Sequence, residues 1–248
     1  MMDKYTAHRA VDVSLGARRG RRRALVNRAR WSRPLRASIA GAMYTPVPRP
    51  SFITPCAPVP ADAPPNGPEW LHEVKWDGWR CQVLKDGPRV TICSRNRTDW
   101  TKRLPHLERA IQQLPWSAIT LDAELLHVDE NGRLNFYGIP TGMKQREVFL
   151  TVFDILHLDD RDLRHLPLIE RKAILARRIP GSPHLVVGEY FDNGDALLDA
   201  CTKHDMEGIV SKRRDLAYKS GKCAYWRKIK CAEWKERNKE RYKLFERA

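Results

Sequence analysis

No part of this chain constrains its fold more than the stretch Glu73-Val74-Lys75-Trp76-Asp77-Gly78-Trp79-Arg80. Before it, Trp70-Leu71-His72-Glu73-Val74 reads as a strand. After it, Trp79-Arg80-Cys81-Gln82-Val83-Leu84 alternates with a period near two. The segment is therefore strand, tight turn, strand. A lysine at such a turn, followed by a carboxylate and then a glycine, can enter a partly desolvated pocket and serve there as an amine nucleophile. Taken alone, the same pattern also describes a surface hairpin with a Lys–Asp pair.

The neighbouring sequence extends the strand reading. Lys85-Asp86-Gly87-Pro88 supplies turn chemistry and 89–94 is the return strand. Leu104, Leu107, Ile111 and Leu114 share one helical face, which predicts an amphipathic helix over 104–114. Strands are expected at 118–128, ending in the turn Asp129-Glu130-Asn131-Gly132, and at 148–156, with Asp154 embedded near the end. A helix with a basic outer face is expected at 166–179, and a shorter one opening on Asn193 at 193–204. Two more strands follow, at 207–212 and 223–230. Irregular alternation with early hairpins predicts an α+β fold of mostly antiparallel sheets flanked by helices.

Length allows one large domain or two small ones. The formal net charge of +15 points to a polyanionic partner. That charge is uneven: residues 1–42 hold ten Arg and one Lys against two Asp, so +9 sits there. This segment reads as a basic arm for nucleic acid, a transit-like peptide, or an upstream extension that is not normally translated. Residues 43–68 are proline-rich, favouring an extended strap over a helix or central strand. The folded domain is expected at 69–231 and a charged tail at 232–248. No window approaches 18 consecutive apolar residues, so no membrane span is expected. The six cysteines form no CxxC pair and have no His companions at zinc spacing. They read as reduced thiols of an intracellular protein.

Five segments set charged groups at or near the ends of apolar strands, where one pocket could collect them. These are Lys75–Arg80; Ser94-Arg95-Asn96; Leu121-Asp122-Ala123-Glu124-Leu125; Val152-Phe153-Asp154-Ile155-Leu156; and the pair Glu207–Lys212 with Trp226-Arg227-Lys228-Ile229-Lys230. In order and spacing they resemble the nucleotidyltransferase motifs I, Ia, III, IIIa, IV and V of ATP-dependent DNA ligases, and most of all the bacterial ligases used in end joining. The likeness covers about residues 50–231. Phe153-Asp154-Ile155-Leu156-His157-Leu158 with Arg161-Asp162-Leu163-Arg164 strengthens that subgroup.

The resemblance implies the ligase adenylation fold and a role for each matched residue. Lys75 attacks the α-phosphate of ATP and holds AMP as a phosphoramidate. Glu73 sits by the adenine, and Phe153 stacks on it. Arg80 and Arg95 contact the ribose and the nick 5′-phosphate. Glu124 holds the ribose and helps place a metal, and Glu207 binds metal. Lys228 and Lys230 contact the AMP phosphate, and Lys212 faces phosphate as part of the nucleotide site. Phosphoryl transfer needs positioning and charge neutralisation, so cations and hard carboxylate donors for Mg²⁺ (or Mn²⁺) suit it independently of the likeness. Read singly, Glu124 is an ordinary strand-end carboxylate, Phe153 is core, and Lys228 and Lys230 are a solvated strand edge.

Implied partners are nicked double-stranded DNA, end-joining proteins and an OB domain supplied in trans; a membrane is not among them. The implied location is the bacterial cytoplasm, at the nucleoid. With few, dispersed aromatics, DNA contact would rest on Lys and Arg at phosphates, salt-sensitive and weakly sequence-specific. The chain departs from the family pattern in three places. Arg97 replaces the glycine usual after Ser-Arg-Asn, the segment between Gly132 and Gln145 looks shortened, and 231–248 is too short and too charged for an OB barrel. Slow self-adenylation is the expectation from the last of these. Two alternatives stay open: a truncated, non-catalytic nick- or partner-binding module, and an RNA ligase or guanylyltransferase on the same scaffold.

Overall fold

The computed structural model describes residues 51–129, 134, 136 and 148–239. The basic segment 1–42, the turn after Asp129, most of the shortened segment and the tail beyond 239 lie outside the described residues. In chain order the elements are β1 (Cys56–Pro60), β2 (Trp70–Lys75), β3 (Trp79–Asp86), β4 (Arg89–Ser94), α1 (Pro105–Gln112), β5 (Ala118–His127), β6 (Val148–Leu158) and β7 (Arg161–Asp162). They continue with α2 (Leu168–Arg178), β8 (Leu185–Val187), α3 (Gly194–Lys203), β9 (Gly208–Arg213), β10 (Gly221–Lys230) and α4 (Ala232–Arg237).

The strands form two sheets. One has the order β1-β10-β9-β2 and the other β4-β3-β5-β6-β7, with β8 added alongside β6. Among the described residues only β1–β10 and β6–β8 pair in parallel; the other ladders are antiparallel, as the irregular alternation predicts. The expected strand–turn–strand at Lys75 is present, but its two strands do not pair with each other. β2 ends one sheet and β3 belongs to the other, so Trp76–Gly78 carries the chain between them. Gly78 is required at this crossing. A Cβ there would lie 2.5 Å from the Leu125 carbonyl oxygen and 2.9 Å from Cγ of Glu124.

Alternation explains why β5 is buried on both faces yet carries Thr120, Asp122 and Glu124. Leu121, Ala123 and Leu125 join the main core with Val83, Ile92 and the α1 residues Leu107 and Ile111. The intervening polar residues must then face the other way. A second core, with Leu197 and Cys201 of α3, Ile209, Ile229 and Trp234 of α4, lies on the smaller sheet. A third joins Cys56, Cys223 and Trp226 of the smaller sheet to Phe153 of the larger. All six cysteines are free and buried.

Three local findings refine the sequence reading. The proline-rich strap contributes an edge strand, β1, where Pro58 and Pro60 can sit without an N–H to donate. Lys85 is not a turn residue: it lies in β3, buried, and its amine donates to the Gln112 and Leu114 carbonyl oxygens at the α1 C-terminus. The turn proper is Gly87-Pro88. Finally, Arg97 adopts φ +66°, a conformation glycine accepts freely and an L side chain occupies at a cost of about 1–2 kcal/mol. Its guanidinium stacks 4.9 Å from the Phe52 ring centroid.

Candidate active site

Register across the smaller sheet sets the site. Lys75 of β2 and Lys230 of β10 both pair with Gly208 of β9. A glycine there leaves both amines free to converge on Glu207, the residue just before it. Lys75 Nζ lies 2.6 Å from Glu207 Oε2 and Lys230 Nζ 2.8 Å from Oε1. Gly208 has φ +145°, and a Cβ would meet the Ile229 carbonyl oxygen at 2.1 Å, so no other residue fits. The next row is Glu73–Val210–Lys228 and the one after it Leu71–Lys212–Trp226. Period two thus gathers Lys75, Glu73, Lys212, Lys228 and Lys230 on one face.

The larger sheet supplies the opposite wall. Arg80 grips Asp122 through Nε at 3.0 Å and Nη2 at 2.7 Å, and its Nη1 donates to the Cys56 carbonyl of the smaller sheet. Three of its five N–H groups are used and two remain. Tyr218 completes the seam: its hydroxyl donates to Asp122 Oδ2 at 2.9 Å and accepts from Cys56 N at 2.8 Å. Glu124 stands opposite Arg80 in the β3–β5 register. Phe153 occupies an irregularity in the β5–β6 ladder, where Asp122 pairs with Asp154 but Ala123 with Val152. Such bulges re-aim a side chain, and Phe153 meets Trp226 edge-on at 6.3 Å, across the gap between sheets.

Burial and crowding shift the charges. Desolvation pushes the Glu124 carboxyl up to about 8, with repulsion from Glu207 and Asp122 adding to it and Lys75 and Arg80 opposing. Burial lowers Lys230, against Glu207; it also lowers Lys228, with Lys75 and Arg95 repelling the same charge. Two carboxylates that repel each other in a desolvated cleft are a fitting seat for a hard divalent cation. Among the described residues no three His, Cys, Asp or Glu side chains form a ready-made cage. A cation on Glu124 and Glu207 would therefore draw further ligands from phosphate or water, as Mg²⁺ does.

The structure brings Lys75, Glu207 and Lys230 into direct contact, with Lys228 and Glu124 electrostatically coupled to them. Arg95 is exposed just beyond β4, its N–H bonded to the Arg80 carbonyl at 3.2 Å. Lys212 is placed differently from the expectation that it faces phosphate. It is buried, 2.8 Å from Glu73 Oε2, with its ammonium 4.5 Å and 4.0 Å from the Phe153 and Trp226 ring centroids. The basic outer face expected of α2 is present at Arg177 and Arg178, but its other two basic residues do not share it. Arg171 and Lys172 point inward, Arg171 onto Asp154 through two 2.8 Å bonds and Lys172 to 2.7 Å from Glu73 Oε1. Lys172, Arg171 and Tyr218 are site-supporting residues that sequence reasoning missed. None lies at a strand end, and no period relates them to their partners.

The chain matches the family model of the ATP dependent DNA ligase domain over residues 61–230. The chain belongs to the ATP-dependent DNA ligase family. It is similar to the multifunctional non-homologous end joining protein LigD of Pseudomonas aeruginosa, 34% identical over 209 residues. That match takes in 81% of this chain and 24% of LigD, so the chain spans about a quarter of that relative's length. The crystal structure of the ligase domain from M. tuberculosis LigD superposes with a TM-score of 0.64 at 28% identity, over 72% of this chain and 60% of that one. A mycobacterial DNA ligase D complexed with ATP and MES gives a TM-score of 0.62 at 28% identity, with the same coverage. The ligase fold, the ATP-dependent family and the likeness to end-joining ligases agree with the motif reading. Among the described residues of this ligase domain, no helix is long and apolar enough to cross a membrane.

Proposed function

We propose that residues 69–231 form the adenylating catalytic domain of a ligase that seals nicked double-stranded DNA in repair. One observation carries this reading: Lys75 and Lys230 meet on Glu207 about a glycine that admits no side chain, with Glu124 coupled to the same charges. Lys75 Nζ attacks the α-phosphorus of ATP, a phosphoramidate N–P bond forms, and the bond to pyrophosphate breaks. Lys75 Nζ lies 2.6 Å from Glu207 Oε2 at rest, so it must leave that contact and attack as the free amine. Lys228 and Lys230 are placed to neutralise the phosphate as charge moves. Phe153 and Lys212 wall the base, Glu73 reads it, and Arg80 and Arg95 take the ribose and the nick 5′-phosphate. A Mg²⁺ or Mn²⁺ ion on Glu124 and Glu207 would supply further charge neutralisation for the triphosphate.

The partners in this reading are duplex DNA and end-joining proteins, in the bacterial cytoplasm at the nucleoid. Residues 1–42 act as a basic arm on DNA, 43–68 as a lead-in and 232–248 as a charged tail. The test is incubation with α-labelled ATP and Mg²⁺. An acid-labile, lysine-linked AMP is expected, lost in Lys75→Ala and kept in Lys219→Ala. Failure to form it, together with failure to seal a pre-adenylated nick, leaves only a binding module. Labelling from GTP instead indicates a guanylyltransferase.

A further inference from the structure

Glu73 is buried between two lysines of different origin. Lys212 comes from β9, two residues beyond the register partner of Glu73. Lys172 comes from α2, 99 positions along the chain from Glu73 and outside all of the ligase motifs. One carboxylate against two ammonium groups leaves a surplus positive charge in a buried cluster, which is costly unless it has a use. Lys172 Nζ lies 2.7 Å from Glu73 Oε1 and takes up one side of that oxygen. A carboxylate oxygen has two acceptor directions, so one remains beside the ion pair.

The element carrying Lys172 is fixed firmly. Its neighbour Arg171 is locked to Asp154 and to the Leu166 carbonyl. The start of α2 is tied to the β9–β10 connection by bonds from Leu168 N to Leu216 O and from Ile169 N to Arg214 O. Lys172 also lines a cavity of about 550 Å³ whose wall includes Val187 and Gly188. Gly188 in turn approaches Phe153, to 3.7 Å from its Cβ for a Cβ built on the glycine.

We infer that Lys172 is a positioning residue for base selection. It pins Oε1 of Glu73 while Lys212 pins Oε2, so that the second acceptor direction of Oε1 faces an exocyclic amino group. A 6-aminopurine donates to that oxygen, whereas a 6-oxopurine sets a carbonyl against it and is rejected. The inference rests on the reading of Glu73 as the base-recognition group.

The experiment measures Lys75–AMP formation against nucleotide concentration for wild type, Lys172→Met, Lys172→Arg and Glu73→Gln, with ATP and with GTP. Thermal unfolding of each variant is followed in parallel. Lys172→Met is expected to raise KM for ATP by about tenfold and cut the ATP-over-GTP preference similarly, with kcat within about threefold of wild type. Lys172→Arg should restore most of both, because it returns the cation. If Glu73→Gln raises KM and Lys172→Met does not, Lys172 has no part in selection while the Glu73 reading stands. If neither variant moves KM or preference, the Glu73 reading itself falls. A fall in KM in Lys172→Met, or a loss of kcat and folded fraction that Lys172→Arg does not rescue, overturns the inference in favour of a structural role.

Discussion

Glu124 illustrates at the residue scale how the site works against the fold that holds it. Its carboxyl is raised from 4.5 to about 8, chiefly by burial. Below 4.5 both folded and unfolded chains keep this proton, and Glu124 does not affect stability. Between 4.5 and 8 the unfolded chain releases it while the folded chain retains it, so stability falls as pH rises; above 8 the cost is complete. Glu124→Gln is therefore expected to unfold at a higher temperature than wild type at pH 9 without divalent ions. The gain is on the order of a few kcal/mol and vanishes near pH 4, while adenylation of Lys75 is lost. Equal unfolding midpoints at pH 9 would contradict this account. Most of the residues that sequence alone made visible are charged groups within two positions of a strand end; Glu124, three residues inside β5, and the uncharged Phe153 were visible only through their motifs. Lys172 and Tyr218 were invisible because their partners, Glu73 and Asp122, lie far away in the chain and on other elements. Lys212 was found by its motif, but its direction was not. Only the packing of Phe153 and Trp226 around its ammonium determines where it points.

Strands and helices were legible from periodicity because burial has a period, and β2 to β6 fall within a few residues of where the alternation ends. Helix α2 shows the limit of that logic. A basic residue on an amphipathic helix ordinarily faces water, yet Arg171 is fully buried because Asp154 awaits it on β6. Arg171→Leu leaves that carboxylate buried and unpaired, which is expected to cost about 3–5 kcal/mol. Adding Asp154→Leu should recover most of the loss, since both charges are then gone. Denaturant unfolding of the two single variants and the double variant measures the coupling. Additive losses would show that the pair does not join α2 to the sheet. The short strands β7 and β8 gave no usable pattern, since two or three residues cannot establish a period. Edge strand β1 was hidden by prolines that suit an edge as well as they suit a loop.

Across the described residues, two sheets present charged faces to each other, and the contacts that tie their two sides together include three polar ones, Arg80 to Cys56, Tyr218 to Asp122 and Lys172 to Glu73, beside the aromatic pair Phe153 and Trp226. Which sheet each strand joins could not be read from the sequence, because period two identifies a buried face without identifying what covers it. Charge, by contrast, is a property of the sequence alone. Residues 1–42 carry +9 of the net +15. Deleting them is expected to flatten the dependence of log K on log salt for duplex DNA, by about 0.9 for each phosphate that the arm no longer neutralises, without altering Lys75 adenylation. An unchanged slope would mean that this segment stays off the DNA.

The passage of the chain from β2 to β3 through Trp76–Gly78 has a mechanical meaning. Lys75, the proposed nucleophile, ends one sheet, and after three intervening residues the chain is already part of the other, so the amine is tethered to both jaws by a leash too short to stretch. Any substrate that wedges the jaws apart must drag Lys75 away from Glu207 or be refused. The reactivity of Lys75 would then report how widely the cleft stands open, making the proposed nucleophile its own gauge of closure.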